Sequence, residues 1–137
     1  MEEQFMTATS EVLKTITVEL TVDLNTLSAA IEALGDTVRT TTACAAAMAS
    51  GEREMAAAVR ADLDCVDVCH AAGQVLTRAT ADASVLRGLL ESTVAACERS
   101  AGECGRHAEH HGHCRLCSES TRATASACRA LLEDLGH

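Results

Sequence analysis

Eight cysteines fall in a chain that has no proline, and most of them recur at intervals of one or two helical turns. Cys65 and Cys69 are four residues apart, Cys97 and Cys104 seven, and Cys114 and Cys117 three. Intervals of three, four and seven return a side chain to the same face of a helix, so the thiols stack in columns. Columns of thiols on helix faces suit soft metal ions better than they suit a disulfide framework.

The rest of the composition agrees with helices. A length of 137 residues is one domain, large enough to bury a core without disulfide staples. Alanine, leucine and glutamate are abundant, and all favour helix. Phe5 is the only aromatic residue, so the core has to be built from Ala, Val and Leu, whose small side chains let helices approach closely. A formal charge of −9 excludes nucleic acid as a partner, because nothing would neutralise a phosphate backbone. The N-terminus MEEQFMTATSEVLK has neither the basic nor the apolar region of a secretory signal. With no run of about 20 apolar residues there is no membrane span. These features predict a cytoplasmic protein, where thiols stay reduced and cysteine-rich patterns serve metal or redox chemistry.

The expected fold class is all-α, an antiparallel up-down four-helix bundle over residues 26–137, preceded by an extension over residues 1–25. Within the extension, residues 15–24 alternate: Ile16, Val18, Leu20, Val22 and Leu24 against Thr15, Thr17, Glu19, Thr21 and Asp23. Period two with β-branched residues predicts a strand. A lone strand leaves its backbone unpaired, so the expectation is pairing with a second copy of the chain or with another protein. Asn25 or Thr26 then caps a first helix ending near Ser50, and Gly51 marks the turn. Further helices are predicted over residues 52–78, 84–107 and 114–135, and HAEHHGH at 107–113 forms the last connection.

In antiparallel hairpins, residues equidistant from a turn lie side by side. Folding the helices this way predicts an inner group of Cys65, Cys69 and Cys97. It also predicts a mouth group of Cys44, Cys104, Cys114 and Cys117, with Met48 near that end and Cys128 deeper. Thiolates favour Cu(I), Zn(II) or iron–sulfur clusters over hard cations. Zinc takes paired knuckles converging on one site, and only Cys114-x-x-Cys117 and Cys65-x₃-Cys69 resemble these. Clusters draw on denser loop spacing. Strung-out thiols suit copper, which ranks first, with zinc as the alternative. The histidines of the last connection, His107 and His113 among them, read either as a solvated loop or as a mouth that passes metal.

The segments DLDCVDVCHAA, AACERSAGECGRHAEHHGHCRLCSES and SACRALL together resemble the cysteine-rich four-helix-bundle copper storage proteins, over about residues 40–132. The resemblance implies a lumen of thiols holding many Cu(I) ions, in a chain that assembles as a homo-oligomer, dimer or tetramer. By position it assigns metal binding to Cys44, Cys65, Cys69, Cys97, Cys104, Cys114, Cys117 and Cys128. Met48 replaces a family cysteine, and His107 and His113 match histidines near the mouth. Leu90, Thr93, Ser100, Thr121 and Thr124 stand where relatives tend to carry further cysteines, which implies a thinned ladder and a small store. That thinning leaves a second reading open, a copper-cluster oxidoreductase acting on a small organic substrate in a pocket beside Cys97, opened where Leu90, Thr93 and Thr121 replace cysteines. A third is an adaptor that has lost its metal and docks a partner through the strand.

Overall fold

The computed structural model describes residues 7–16, 22–51, 55–79 and 82–136. Among these residues the chain forms helices and no strand: α1 (Ala8–Thr15), α2 (Leu24–Ala49), α3 (Ala56–Arg78), α4 (Ala83–Gly105) and α5 (Gly112–Asp134). Short polar side chains start three of them. Thr7 Oγ1 accepts from the Ser10 amide at 3.1 Å, and Asp23 Oδ2 accepts from the Thr26 amide at 3.1 Å. Asp82 Oδ1 accepts from the Ser84 amide at 2.8 Å. Each satisfies a backbone donor that the first helical turn leaves without a partner.

The expected strand over residues 15–24 is corrected at both ends. Thr15 closes α1, Asp23 is the cap of α2, and Leu24 is its first residue. Residues 17–21 of that segment lie outside the described residues. Two capping side chains outweigh the alternating pattern: they fix helix ends locally, whereas a strand depends on a partner for its hydrogen bonds. Helix α1, which shares only Thr15 with the alternating segment, is an element that the periodicity did not predict. Its Leu13 is 1% exposed and belongs to the main core cluster, so part of the extension is packed into the body of the protein.

Four long helices surround the core, α2 packing on α3 and α5, and α4 packing on the same two; α1 packs on α2. Every long helix turns inward a column whose chemistry changes along its length. On α2 the buried residues run Leu27, Ala30, Leu34, Thr37, Thr41, Cys44 and Met48; on α5, in reverse, Leu131, Cys128, Thr124, Thr121, Cys117 and Cys114. Helix α3 contributes Leu76, Ala72, Cys69, Cys65, Asp62 and Ala58, and α4 contributes Leu86, Leu90, Thr93, Cys97, Ser100 and Cys104.

The core therefore has two parts. One is rich in leucine and holds Leu13, Leu27, Leu34, Leu76, Leu86, Leu90 and Leu131. The other is a cluster in which six of seven buried residues carry sulfur: Cys44, Met48, Met55, Cys104, Cys114 and Cys117, with Ala58. Ties at the leucine end hold it shut. The Asp23 amide donates to Asp134 Oδ2 at 3.3 Å, and Arg87 donates to the Gly136 carbonyl at 3.0 Å.

Removing the Leu13 side chain leaves a cavity in this end. Leu13→Ala is expected to cost about 2–5 kcal/mol, read as a lower denaturation midpoint in the metal-free protein, whereas Val12→Ala on the exposed face of α1 leaves it unchanged.

Candidate metal centre

The inward columns of α3 and α4 bring three thiols into a triangle. Cys65 Sγ is 3.8 Å from Cys69 Sγ and 3.7 Å from Cys97 Sγ, and Cys69 and Cys97 are 3.6 Å apart. All three are fully buried. The edges are nearly equal, so one ion at the centre would touch all three sulfurs. Helix spacing supplies two corners from successive turns of α3, and α4 supplies the third. Hydrogen bonds from Cys69 and Cys97 hold the Cys65 thiol down, to about 4, against the opposing effect of burial. The same bonds push the Cys97 thiol well above its ordinary range.

Toward the sulfur-rich end lies a second group. Cys44, Asp62, Cys104 and Cys117 place one ligand atom each within 4.8 Å of all the others. Cys104 Sγ lies 3.9 Å from Cys44 Sγ and 3.6 Å from Cys117 Sγ, and it donates to Asp62 Oδ1 at 3.2 Å. Cys117 Sγ is 3.7 Å from the same oxygen and 3.6 Å from Thr41 Oγ1. Hydrogen bonds from Cys104 and Cys44 hold the Cys117 thiol down to about 3.

Asp62 was not among the residues that the thiol pattern singles out. It is fully buried. Ser100 donates to its Oδ1 at 2.7 Å, while its Oδ2 has no hydrogen-bond partner among the described residues. A buried carboxylate oxygen without a partner is costly unless a cation or proton meets it. Burial raises the Asp62 carboxyl to about 6, opposed by the Ser100 hydrogen bond. A signal for it was in the sequence: Asp62 precedes Cys65 by three residues and Cys69 by seven, on the same face of α3.

A third group is Cys44, His113 and Cys114. His113 Nδ1 lies 3.5 Å from Cys44 Sγ and 3.5 Å from Cys114 Sγ, and Met48 Sδ is 3.8 Å from Cys114 Sγ. Burial raises the Cys114 thiol. His113 is partly exposed, so this group faces the outside. The expected mouth group thus forms two sets that share Cys44: one with Asp62, Cys104 and Cys117, the other with His113 and Cys114, beside which Met48 lies.

Two of the candidate residues are not brought to any group. His107 has its ring 6.4 Å from that of His111, which lies 5.3 Å from that of His113, so it stands at the outer end of a row of imidazoles. Cys128 packs in the leucine-rich cluster, and burial alone raises its thiol to about 12.

Opposite the inner triangle, α2 and α5 present hydroxyls. Thr37 Oγ1 lies 2.7 Å from Thr124 Oγ1 and 2.9 Å from Ser120 Oγ. Thr124 donates to the Ala33 carbonyl at 3.0 Å. Thr121 Oγ1 donates to the Cys117 carbonyl at 2.9 Å, and Thr93 Oγ1 to the Leu89 carbonyl at 2.7 Å. The Thr37 and Thr124 bonds brace α2 against α5, whereas Thr121 on α5 and Thr93 on α4 are satisfied on carbonyls of their own helices.

Residues 23–133 match the copper storage protein (Csp) family. The chain belongs to the copper storage protein family. Solved structures similar to it come from Streptomyces lividans. The copper storage protein Ccsp, loaded with 10 copper equivalents, matches with a TM-score of 0.88 at 36% identity, over 92% of this chain and 98% of its own. A histidine-to-alanine variant of Ccsp matches at 0.82 with 38% identity, covering 85% of this chain and 99% of that one. A cytosolic copper storage protein from the same organism, with five coppers, matches at 0.77 with 37% identity, over 80% and 93%. No curated protein matches the sequence significantly.

Asp62 gives the metal-free member a pH signature. Its folded pKa, about 6, lies above the ordinary 3.8, so the folded state keeps a proton that the unfolded chain releases first. That contribution is complete below about pH 4 and is lost as pH rises through about 6, a change of about 3 kcal/mol. Asp62→Asn is expected to flatten this part of the stability–pH curve, measured by urea denaturation of reduced, metal-free protein.

Proposed function

We propose that this chain is a cytoplasmic copper storage protein that holds Cu(I) on the thiolates of its bundle core. The observation that carries the reading is the inner triangle, three fully buried sulfurs 3.6 to 3.8 Å apart with no disulfide among them. Reduced thiols in a dry core select a soft, singly charged ion that accepts two or three sulfurs. Family membership and the copper-loaded relatives from Streptomyces lividans support the same cargo and the same compartment. No helix among the described residues is long and apolar enough to cross a membrane.

The finer architecture belongs to this reading. Residues 26–137 form an antiparallel up-down bundle of four helices, supported by contacts in opposite chain order: Thr37 with Thr124, Thr41 with Cys117, Met48 with Cys114. Ligands to copper are Cys65, Cys69 and Cys97 within, and Cys44, Cys104, Cys114, Cys117, Met48 and His113 toward the mouth. The row His107, His111 and His113 admits the ion, since each neutral imidazole can ligate and release it. Cys128, buried in the same core cluster as the triangle, is the deepest of the candidate ligands. A homo-oligomer, dimer or tetramer, completes the reading. Exposed Leu63, Val85 and Leu116 on α3, α4 and α5 are apolar side chains that such an assembly would cover.

Storage is favoured over oxidation of an organic substrate because Thr93 and Thr121 turn their hydroxyls onto helix carbonyls instead of into a pocket. The hydroxyls facing the inner triangle keep the store small.

Anaerobic titration with Cu(I) against a strong chelator should show several ions per chain. The triple variant Cys65→Ser, Cys69→Ser, Cys97→Ser should bind fewer while keeping those at the mouth. Zero or one ion in the unaltered protein would overturn the reading.

A further inference from the structure

The geometry points to a second metal specificity: Cys44, Asp62, Cys104 and Cys117 form a tetrahedral site for one Zn(II) ion, held while copper is absent. The site shares Cys44, Cys104 and Cys117 with the copper reading, but it stands on the geometry of its four donors and does not require that reading.

Its dimensions are those of zinc. With Zn–S near 2.3 Å and Zn–O near 2.1 Å, a regular tetrahedron sets sulfurs about 3.8 Å apart and sulfur and oxygen about 3.6 Å apart. The sulfur–sulfur distances from Cys104 are 3.9 and 3.6 Å. Those from Asp62 Oδ1 to Cys104 and Cys117 are 3.2 and 3.7 Å. All four ligand atoms lie within 4.8 Å of one another, so none has to travel far to close the polyhedron. They come one from each long helix, Cys44 on α2, Asp62 on α3, Cys104 on α4 and Cys117 on α5.

The donor chemistry separates this site from the inner triangle. Three sulfurs alone suit Cu(I), whereas a carboxylate is a harder donor that zinc accepts alongside thiolates. Charge makes the same distinction. Asp62 and its three cysteine partners are fully buried, and uncompensated negative charge in such a place is expensive. A dipositive ion offsets twice what a monovalent one does. Asp62 Oδ2, buried and without a hydrogen-bond partner, is the mark of a carboxylate shaped for a cation. Ser100, donating to Oδ1 at 2.7 Å, fixes the carboxylate as an outer partner fixes a metal ligand. Zinc there would tie the four helices together near the opening and keep its three thiols from oxidation until copper, the softer ion, displaces it.

The test is anaerobic titration of reduced, metal-free protein with Zn(II), and with Co(II) as its spectroscopic substitute. One ion per chain is expected, the cobalt form showing tetrahedral ligand-field bands and thiolate-to-cobalt charge transfer. Asp62→Asn and Cys104→Ser should each weaken Zn(II) at least tenfold, with helix content unchanged by circular dichroism. Cys97→Ser and His113→Ala should leave it as it was. Loading the zinc form with Cu(I) should release one Zn(II) per chain. The inference is overturned if no ion binds. It is equally overturned if the cobalt spectrum is indifferent to Asp62→Asn, or if binding depends on Cys97 instead. A protein that fills with copper but takes no zinc sinks this inference alone; one that takes zinc but no copper sinks the storage reading alone.

Discussion

Thiols crowded within 4 Å of each other in a dry core are the constraint on which the rest of the structure depends. Sulfur is a weak hydrogen-bond partner, and a thiolate in apolar surroundings is unstable unless neighbours or a cation hold it. Here each group settles that problem locally. Cys65 is held by Cys69 and Cys97, and Cys117 by Cys104 and Cys44. Such an arrangement requires the helices to be placed to within a fraction of an ångström. The leucine-rich end, with Leu13 of α1 packed into it, supplies the rigid packing that does so.

The gradation along the lumen follows from one substitution rule applied helix by helix. Each inward column passes from leucine through hydroxyl or sulfur to the sulfur-rich end, and the columns change at different heights. At the level of the inner triangle, α3 and α4 present cysteine while α2 and α5 present threonine. The hydroxyls of Thr37, Thr121 and Thr124 all have partners of their own, so this half of the core carries polar groups without being destabilised by them. A cysteine ladder can be shortened by threonine because the two are close in size, and because the hydroxyl finds a partner on its own helix, as Thr121 does, or on the facing one, as Thr37 and Thr124 do.

Much of this was legible in the sequence, and what escaped did so for identifiable reasons. Helical spacing of the cysteines placed Cys65, Cys69 and Cys97 together, since turns of a helix and a hairpin register are both short-range geometry. Cys114 was drawn to Cys117 by their spacing, but its near partners are the adjacent His113 and, across helices, Met48 of α2, a pairing that spacing within one helix does not record. Asp62 was missed because an aspartate in a polar-looking stretch reads as surface; only its place on the cysteine face of α3 betrays it. The alternation at residues 15–24 suggested a strand because period two says nothing about caps, and Asp23 starts a helix inside it.

The leucine end has a bearing on traffic. Leu27, Leu76, Leu86 and Leu131 close the lumen where α2 begins and α5 ends, and the chain ties it further through Asp134 and Gly136. In the proposed store, an end packed with leucine leaves the sulfur-rich end, beside the histidines, as the side from which ions come and go.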